Sequence, residues 1–188
     1  MPTEIEAKMR VPDLSPIRAR LKELGAIFRS RVIETNIIFD RPDASFSAAA
    51  QGLRVRQVRD AETGNQLPST LTYKGPPHAS KLKSREEIEL TVSHGPAAIE
   101  LLRRLGMTTI LSFEKQRESW HHEQCHIELD QVPHLGSFVE IEGPDEPTVM
   151  RVRELLQLTD QQIIKSSYAG MLLALLQKTG TPDRVIKF

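Results

Sequence analysis

The stretch Thr3-Glu-Ile-Glu-Ala-Lys-Met-Arg-Val11 sets Glu4, Glu6 and Lys8 on one parity and Ile5, Ala7 and Met9 on the other. A period of two is a β-strand with one charged and one apolar face. The spacing returns at Arg54/Arg56, Arg85/Glu87/Glu89, Lys115/Arg117, Glu128/Asp130 and Glu140/Glu142, with Lys74 on a further strand. Apolar residues such as Val55, Ile88, Leu129, Val139 and Ile141 interleave with them. Two architectures account for this pattern. One is an ordinary antiparallel sheet, its apolar face under helices and its charged face in water. The other closes the strands into a barrel, with the apolar side outward under the helices and the charged side lining the interior. So many charges in a dry interior would each cost several kcal/mol unless paired, so that lumen must hold water, metal ions or a highly charged ligand. Its cations, Lys8, Arg54, Arg56, Lys74, Arg85, Lys115 and Arg117, are of the types that grip phosphate. Its carboxylates, Glu4, Glu6, Glu87, Glu89, Asp130, Glu140 and Glu142, suit hard cations such as Mg2+ or Mn2+.

Working outward from the first strand, Ser15-Pro16 opens a helix with Ser15 as N-cap, Ile17, Leu21 and Leu24 as its apolar stripe, and Gly25 as its end. A long β-branched strand covers 27–39, and 40–51 is a loop or short helix. Strands follow at 52–59 and 70–74 around the turn Glu62-Thr63-Gly64-Asn65, then a Pro-rich basic mobile loop at 75–83 and a strand at 84–92. The pattern then starts over. Gly95-Pro96 opens a helix striped by Ile99, Leu102 and Leu105, and Leu24-Gly25 returns 81 positions later as Leu105-Gly106. Strands at 110–121, 124–130 and 137–142 complete a second β-α-β-β half. Helices at 146–157 and 160–178 close the chain, and 179–188 reads as a tail prone to disorder. The fold class is α+β, with about eight mainly antiparallel strands and four helices in two pseudo-repeated halves. We expect a single domain over 1–178 with 179–188 as its C-terminal tail.

Taken in order, these strands resemble the CYTH superfamily, the triphosphate tunnel metalloenzymes, which include class IV adenylyl cyclases, thiamine triphosphatases and inorganic triphosphatases. Glu4-Ile-Glu-Ala-Lys8 resembles the family's Glu-x-Glu-x-Lys signature, and Leu53-Arg-Val-Arg56 its Leu-Arg-x-Arg strand. Leu71-Thr-Tyr-Lys-Gly-Pro76, Arg85-Glu-Glu-Ile-Glu89 and Lys115-Gln-Arg117 resemble the strands that follow. Glu128-Leu-Asp130, Gly136-Ser-Phe-Val-Glu-Ile-Glu142 and Lys165-Ser-Ser-Tyr168 fit the late acidic strands and the C-terminal helical motif. The resemblance covers about residues 3–172. It implies a closed eight-stranded barrel, a tunnel, with helices packed outside. It also implies Glu4, Glu6 and Glu142 as metal ligands with Glu140 and Asp130 nearby, and Mg2+ or Mn2+ as cofactor. Lys8, Arg54, Arg56, Lys74, Arg85, Lys115 and Arg117 would bind the triphosphate. Glu4, Glu6, Lys8, Lys74 and Lys115 form the expected catalytic set. Glu87 and Glu89 either bind a second metal or pair with the basic side chains. The implied activity is closest to the class IV cyclases, ATP to cyclic AMP plus pyrophosphate. The alternatives are a triphosphatase acting on thiamine triphosphate, inorganic triphosphate or a nucleoside triphosphate, and a non-catalytic binder of polyanions. The family also implies a homodimer.

The rest of the sequence sets limits. The 188 residues carry 25 Lys+Arg against 25 Asp+Glu, and net charge zero removes the usual argument for nucleic-acid or membrane-surface partners. The longest apolar run, near Met171–Leu176, is too short to span a bilayer. The N-terminus has no apolar stretch of the kind a secretory signal needs. One Cys excludes an intramolecular disulfide, and the cytoplasm is the expected compartment. His121-His-Glu-Gln-Cys125-His126 is either an exposed hairpin end or a transition-metal cluster, and Cys125 falls on the apolar parity. His78, Lys81 and Lys83 belong either to a lid over substrate or to a solvated basic loop. Tyr168 reaches the tunnel end or packs in the core with its hydroxyl bonded. Arg103, Arg104, Arg151 and Arg153 are expected to face solvent. Ile163, Ile164, Met171, Leu172 and Leu175 are expected in the core or at a dimer contact. No residue is assigned to reading a base.

Overall fold

A computed structural model describes residues 3–79 and 82–188, Thr3 and Glu4 through the backbone alone. The side chain of Glu4, and Lys81, therefore lie outside the described residues. The strands are β1 (Thr3–Val11), β2 (Ile27–Asp40), β3 (Gly52–Asp60), β4 (Gln66–Pro77), β5 (Lys83–Val92), β6 (Thr108–His122), β7 (Cys125–Val132), β8 (Gly136–Glu142) and β9 (Val185–Ile186). The helices are α1 (Ser15–Glu23), α2 (Ser45–Ala48), α3 (Gly95–Arg104), α4 (Glu146–Leu155) and α5 (Tyr168–Thr179).

The strands run β2-β3-β4-β5-β1-β8-β7-β6, and β6 returns to pair with β2. Every pairing in that ring is antiparallel, and the closure leaves open edge only where a strand outruns its neighbour, as β6 does beyond β7. The two halves are legible in the topology. Exchanging β1, β2, β3 and β4 for β5, β6, β7 and β8 maps the ring onto itself, with β1–β5 and β2–β6 as the two self-matching seams.

Register decides which side chains meet inside, because residues directly opposite each other point to the same face. The run Lys83–Glu6–Glu142–His126–His121 crosses β5, β1, β8, β7 and β6, and the run Lys8–Glu140–Glu128–Ser119 lies one pair deeper along β1. The opposite parity is apolar and outward. Ala7, Met9, Trp120, Ile127, Leu129, Val139 and Ile141 form one core with Ile17 and Leu21 of α1 and Val149 and Val152 of α4. A smaller core sets Ile37, Phe39 and Val55 under Ala98, Ile99 and Leu102 of α3. The third cluster breaks the pattern: Leu111, Phe113, Val132 and Phe138 share the parity of the tunnel charges, and α5 packs against them through Tyr168, Leu172 and Leu176. The lumen is therefore stopped at that end by an apolar plug.

Several expectations give way. Ser15 is not an N-cap: Leu14 holds that position, and the Asp13 carboxylate accepts the Ser15 N–H instead. Leu105 is exposed rather than part of the α3 stripe. The last helix starts at Tyr168, not at Thr159-Asp160, because the preceding segment is drawn out along β1. Ile163 bridges Met9, the Ile164 N–H donates to the Lys8 carbonyl, and Ser167 then caps α5 by accepting the Gly170 N–H. Arg153, expected in solvent, donates to the carbonyls of Leu158, Thr159 and Gln161 and holds that segment's turn. The C-terminal tail is not free: β9 adds in parallel to β6 at Ser112 and Phe113, and Ile186 is buried. The basic loop is shorter than expected, since β4 continues to Pro77 and β5 begins at Lys83, whose side chain is inside the barrel.

Candidate active site

At the plugged end, charges are buried on a scale that only mutual pairing can sustain. Lys8 is 1% exposed, Lys115 and Glu34 3% each, and Asp130 not at all. Lys115 Nζ lies 3.0 Å from Asp130 and 3.4 Å from Glu34. Arg117 donates to both Asp130 oxygens, at 2.7 and 2.6 Å, and to Glu140 at 2.6 Å. Arg56 reaches Glu34 at 3.1 Å. Lys8 Nζ donates to the Ser166 carbonyl at 2.8 Å and sits 3.4 Å from Glu140. Both ammonium groups lie over the Tyr168 ring, 4.3 and 5.1 Å from its centroid, a cation–π contact strengthened by desolvation. The sequence left two places open for Tyr168, and the geometry joins them: the residue is buried in the plug, and its ring forms the tunnel's end wall. Its hydroxyl has no hydrogen-bond partner among the described residues.

The electrostatics follow from this arrangement. Burial alone would raise the Glu34 pKa, but Arg56, Lys115 and Arg117 hold it well below the carboxylate range. Burial pulls the Arg54 pKa down to about 10, with Arg56 adding to the effect. Burial likewise lowers Lys115, and Arg117 beside it works in the same direction. Against the cost of burial, Asp130, Glu128 and Glu34 raise Arg117 well above its usual value. Burial raises Glu128 and, with Asp130 and Glu140 nearby, lifts Tyr168 well above a free phenol.

On the β3–β4–β5 wall, Lys74 pairs with Glu87 at 2.7 Å. Thr72 donates to Glu89 at 2.8 Å, and Arg54 lies 3.8 Å from the same carboxylate. Glu87 and Glu89 thus lie against basic side chains. Nearer the mouth, Lys83 meets Glu6 at 2.6 Å.

Two features bear on what this lumen binds. The first is a set of donors: Arg54 Nε, Arg85 Nε, Asn36 Nδ2 and Thr70 Oγ1 are buried with no acceptor among the described residues. Leaving such groups unsatisfied costs about 1–3 kcal/mol each, and an anion in the tunnel would satisfy them. The second is the direct opposition of Glu6 and Glu142 across β1 and β8. Lys83 already compensates Glu6 at 2.6 Å, so a hard cation held by Glu6 and Glu142, with Glu4 one pair further along β1, would share Glu6 with that ammonium or displace it; carboxylate oxygens are the ligands such a cation takes. Among the described residues no three His, Cys, Asp or Glu side chains are gathered closely enough to ligate one ion, so the fit rests on Glu6, Glu142 and the position of Glu4. Asp130 and Glu140 are engaged by Arg117, Lys115 and Lys8.

The sequence reading missed Glu34 and Asn36, and it set Lys83 in a lid or a solvated basic loop rather than on the tunnel wall. The signal was present in each case. Glu34-Thr-Asn36 repeats the spacing of two within the long strand, and Lys83 extends the Arg85/Glu87/Glu89 parity by one step. Glu34 and Asn36 lie in a run dominated by β-branched residues, and Lys83 lies at the end of the basic stretch that follows Pro76 and Pro77, so neither context marks a tunnel wall.

With this geometry in place, comparison with known proteins gives a consistent answer. The sequence model of the CYTH domain family matches residues 2–166. The chain belongs to the CYTH domain family. A Methanocaldococcus jannaschii protein named as a candidate adenylate cyclase is 28% identical over 174 residues, covering 88% of this chain and 95% of that one. A Pyrococcus horikoshii protein of known structure is 31% identical, with a TM-score of 0.79 over 92% of this chain and 99% of that one. The structure of a Hippeastrum protein, named as a candidate adenylyl cyclase and described as having a dominant triphosphatase activity, shares the fold. It is 21% identical, with a TM-score of 0.66 over 94% of this chain and 96% of that one. The closed CYTH barrel also sets aside the open sheet with a solvated charged face. Among the described residues no helix is long and apolar enough to cross a membrane.

Proposed function

We propose that this CYTH protein is a divalent-metal-dependent enzyme that binds a triphosphate in its tunnel and converts ATP to cyclic AMP and pyrophosphate. The observation that carries the triphosphate reading is the set of buried donors with no acceptor among the described residues, Arg54 Nε, Arg85 Nε, Asn36 Nδ2 and Thr70 Oγ1, on tunnel-lining strands. Phosphate oxygens supply the missing acceptors, and guanidinium donors match them in geometry and charge. The cyclase reading draws on the Methanocaldococcus relative, which is named for that activity and matched along nearly its whole length.

Phosphoryl and nucleotidyl transfer depend mostly on positioning and on stabilising developing charge. Glu6 and Glu142, with Glu4, would hold Mg2+ or Mn2+, which supplies Lewis-acid charge at the phosphate oxygens. Arg54, Arg56 and Arg85 grip the triphosphate, Lys74 and Arg117 flank it, and Lys8 and Lys115 face it from the Tyr168 wall. Burial of these cations excludes water that would screen them. In cyclisation the 3′ oxygen bonds to the α-phosphorus as the bond to the β-phosphate oxygen breaks. The hydroxyl proton passes to water, and pyrophosphate leaves with the charge that the basic side chains hold.

A second reading is hydrolysis, favoured by the Hippeastrum protein, in which a cyclase name and a dominant triphosphatase activity coexist on this fold. Product analysis separates the two. The purified protein is incubated with ATP, tripolyphosphate or thiamine triphosphate and Mg2+ or Mn2+, and the products are resolved by 31P NMR and chromatography. Cyclic AMP with pyrophosphate is the expected result. Orthophosphate without a cyclic product assigns the tunnel to hydrolysis, and no turnover of any substrate by a protein that binds them makes it a polyanion binder.

A further inference from the structure

The buried donors that carry the triphosphate reading say nothing about what is attached to the phosphates, and the sequence offers no base-reading motif. The geometry points to His121 and His126 as a stacking platform for an aromatic heterocycle, which makes the substrate a nucleotide-like organic triphosphate rather than inorganic triphosphate. This inference rests on the triphosphate reading.

Register puts the two histidines inside. His121 faces His126 across β6 and β7, His126 faces Glu142 across β7 and β8, and Glu142 faces Glu6 across β8 and β1. The alternate residues on the same strands, Trp120, Cys125 and Ile127, are buried in the core under the outer helices. The imidazoles must therefore lie on the tunnel side, not on an outer hairpin surface. Their ring centroids are 5.3 Å apart at an interplanar angle of 69°. On the next strand Ile27, which faces His121 and is 52% exposed, extends the same rim with apolar surface.

Elimination strengthens the assignment. Phe113, Phe138 and Tyr168 share the inward parity or the lumen's end, but all three are buried in the plug. Phe39 and Trp120 lie under the outer helices. Phe28 packs edge-on against Trp120 on the outer face, and Phe46 packs against Tyr73, whereas register places the His121 and His126 rings on the tunnel side. Imidazole faces serve as stacking partners for heterocyclic bases. Adjacent strands lie about 4.8 Å apart. The rings therefore begin one strand beyond Glu142, beside the place where a metal-bound triphosphate would end and its organic group would begin.

Calorimetric binding of ATP and of tripolyphosphate, each with Mg2+, tests this in the wild type and three variants. Replacing both rings (His121→Ala with His126→Ala) is expected to weaken ATP on the order of tenfold or more, and tripolyphosphate by less than about twofold. His121→Phe with His126→Phe keeps the ring faces and is expected to retain ATP affinity. His122→Ala, on the opposite parity of the same turn, leaves both affinities unchanged. If the alanine pair weakens both ligands alike or neither, or if the phenylalanine pair loses ATP as the alanine pair does, the platform is overturned. A wild-type chain that fails to bind tripolyphosphate overturns instead the triphosphate reading beneath it.

Discussion

Asp130 shows what individual residues contribute to the tunnel. It is fully buried, and its two oxygens are taken by Arg117 and Lys115. Its work is to hold two cations in place inside a low-dielectric wall. Asp130→Ala strands those cations, and removing one member of a buried pair costs about 3–5 kcal/mol. Urea denaturation is expected to show a loss near the lower figure, because Glu34 and Glu140 remain as partial partners. A loss below about 1 kcal/mol would mean that those two suffice. Glu34 gives the pH counterpart. Its folded pKa lies below the ordinary value of 4.5, so the unfolded chain takes up its proton first on acidification. The stability that Glu34 contributes is complete above that value and falls away as the pH drops below it. Denaturation midpoints at about pH 6 and pH 3.5 check this: the wild type loses stability between them, and Glu34→Gln loses less.

Elements were legible in the sequence wherever a strand had one charged and one apolar side, as in β1, β5, β7 and β8, because a closed tunnel demands that chemistry on alternate residues. They were least legible where tertiary contacts overrule local pattern. The residues after Thr159 are good helix material, yet pairing of Ile163 and Ile164 with β1 holds them extended until Ser167 can cap α5. β9 is two residues long and was invisible, since nothing in Val185-Ile186 says that β6 has an open edge beyond the reach of β7. Ile186 nonetheless belongs to the plug core. Ile186→Ala is expected to cost about 2 kcal/mol, the low end for an aliphatic truncation in a core, measured by thermal or urea unfolding. An unchanged midpoint would mean that the tail contributes nothing.

Across the whole molecule, the resemblance to the CYTH family and the two-fold repeat are both visible from residues alone. The resemblance also implied the closed eight-stranded barrel, and the structure bears it out; which strands meet at the closure, β6 and β2, and the apolar stop at one end required coordinates. The candidate site was legible as a list of charges but not as a set of pairs: Glu34 and Lys83 are central to the pairing, yet parity alone did not single them out. That pairing has a consequence for how the protein handles its ligand. The lumen carries its own counter-ions as side chains and behaves as an ion exchanger with a fixed capacity. On the triphosphate reading proposed above, a polyanion that enters draws paired Arg and Lys away from carboxylates, and a carboxylate so released takes up a metal ion or a proton from solution. Ligand uptake is thereby tied to the traffic of small cations, and the heat of binding will vary with the ionisation enthalpy of the buffer in proportion to the protons that accompany each ligand inside.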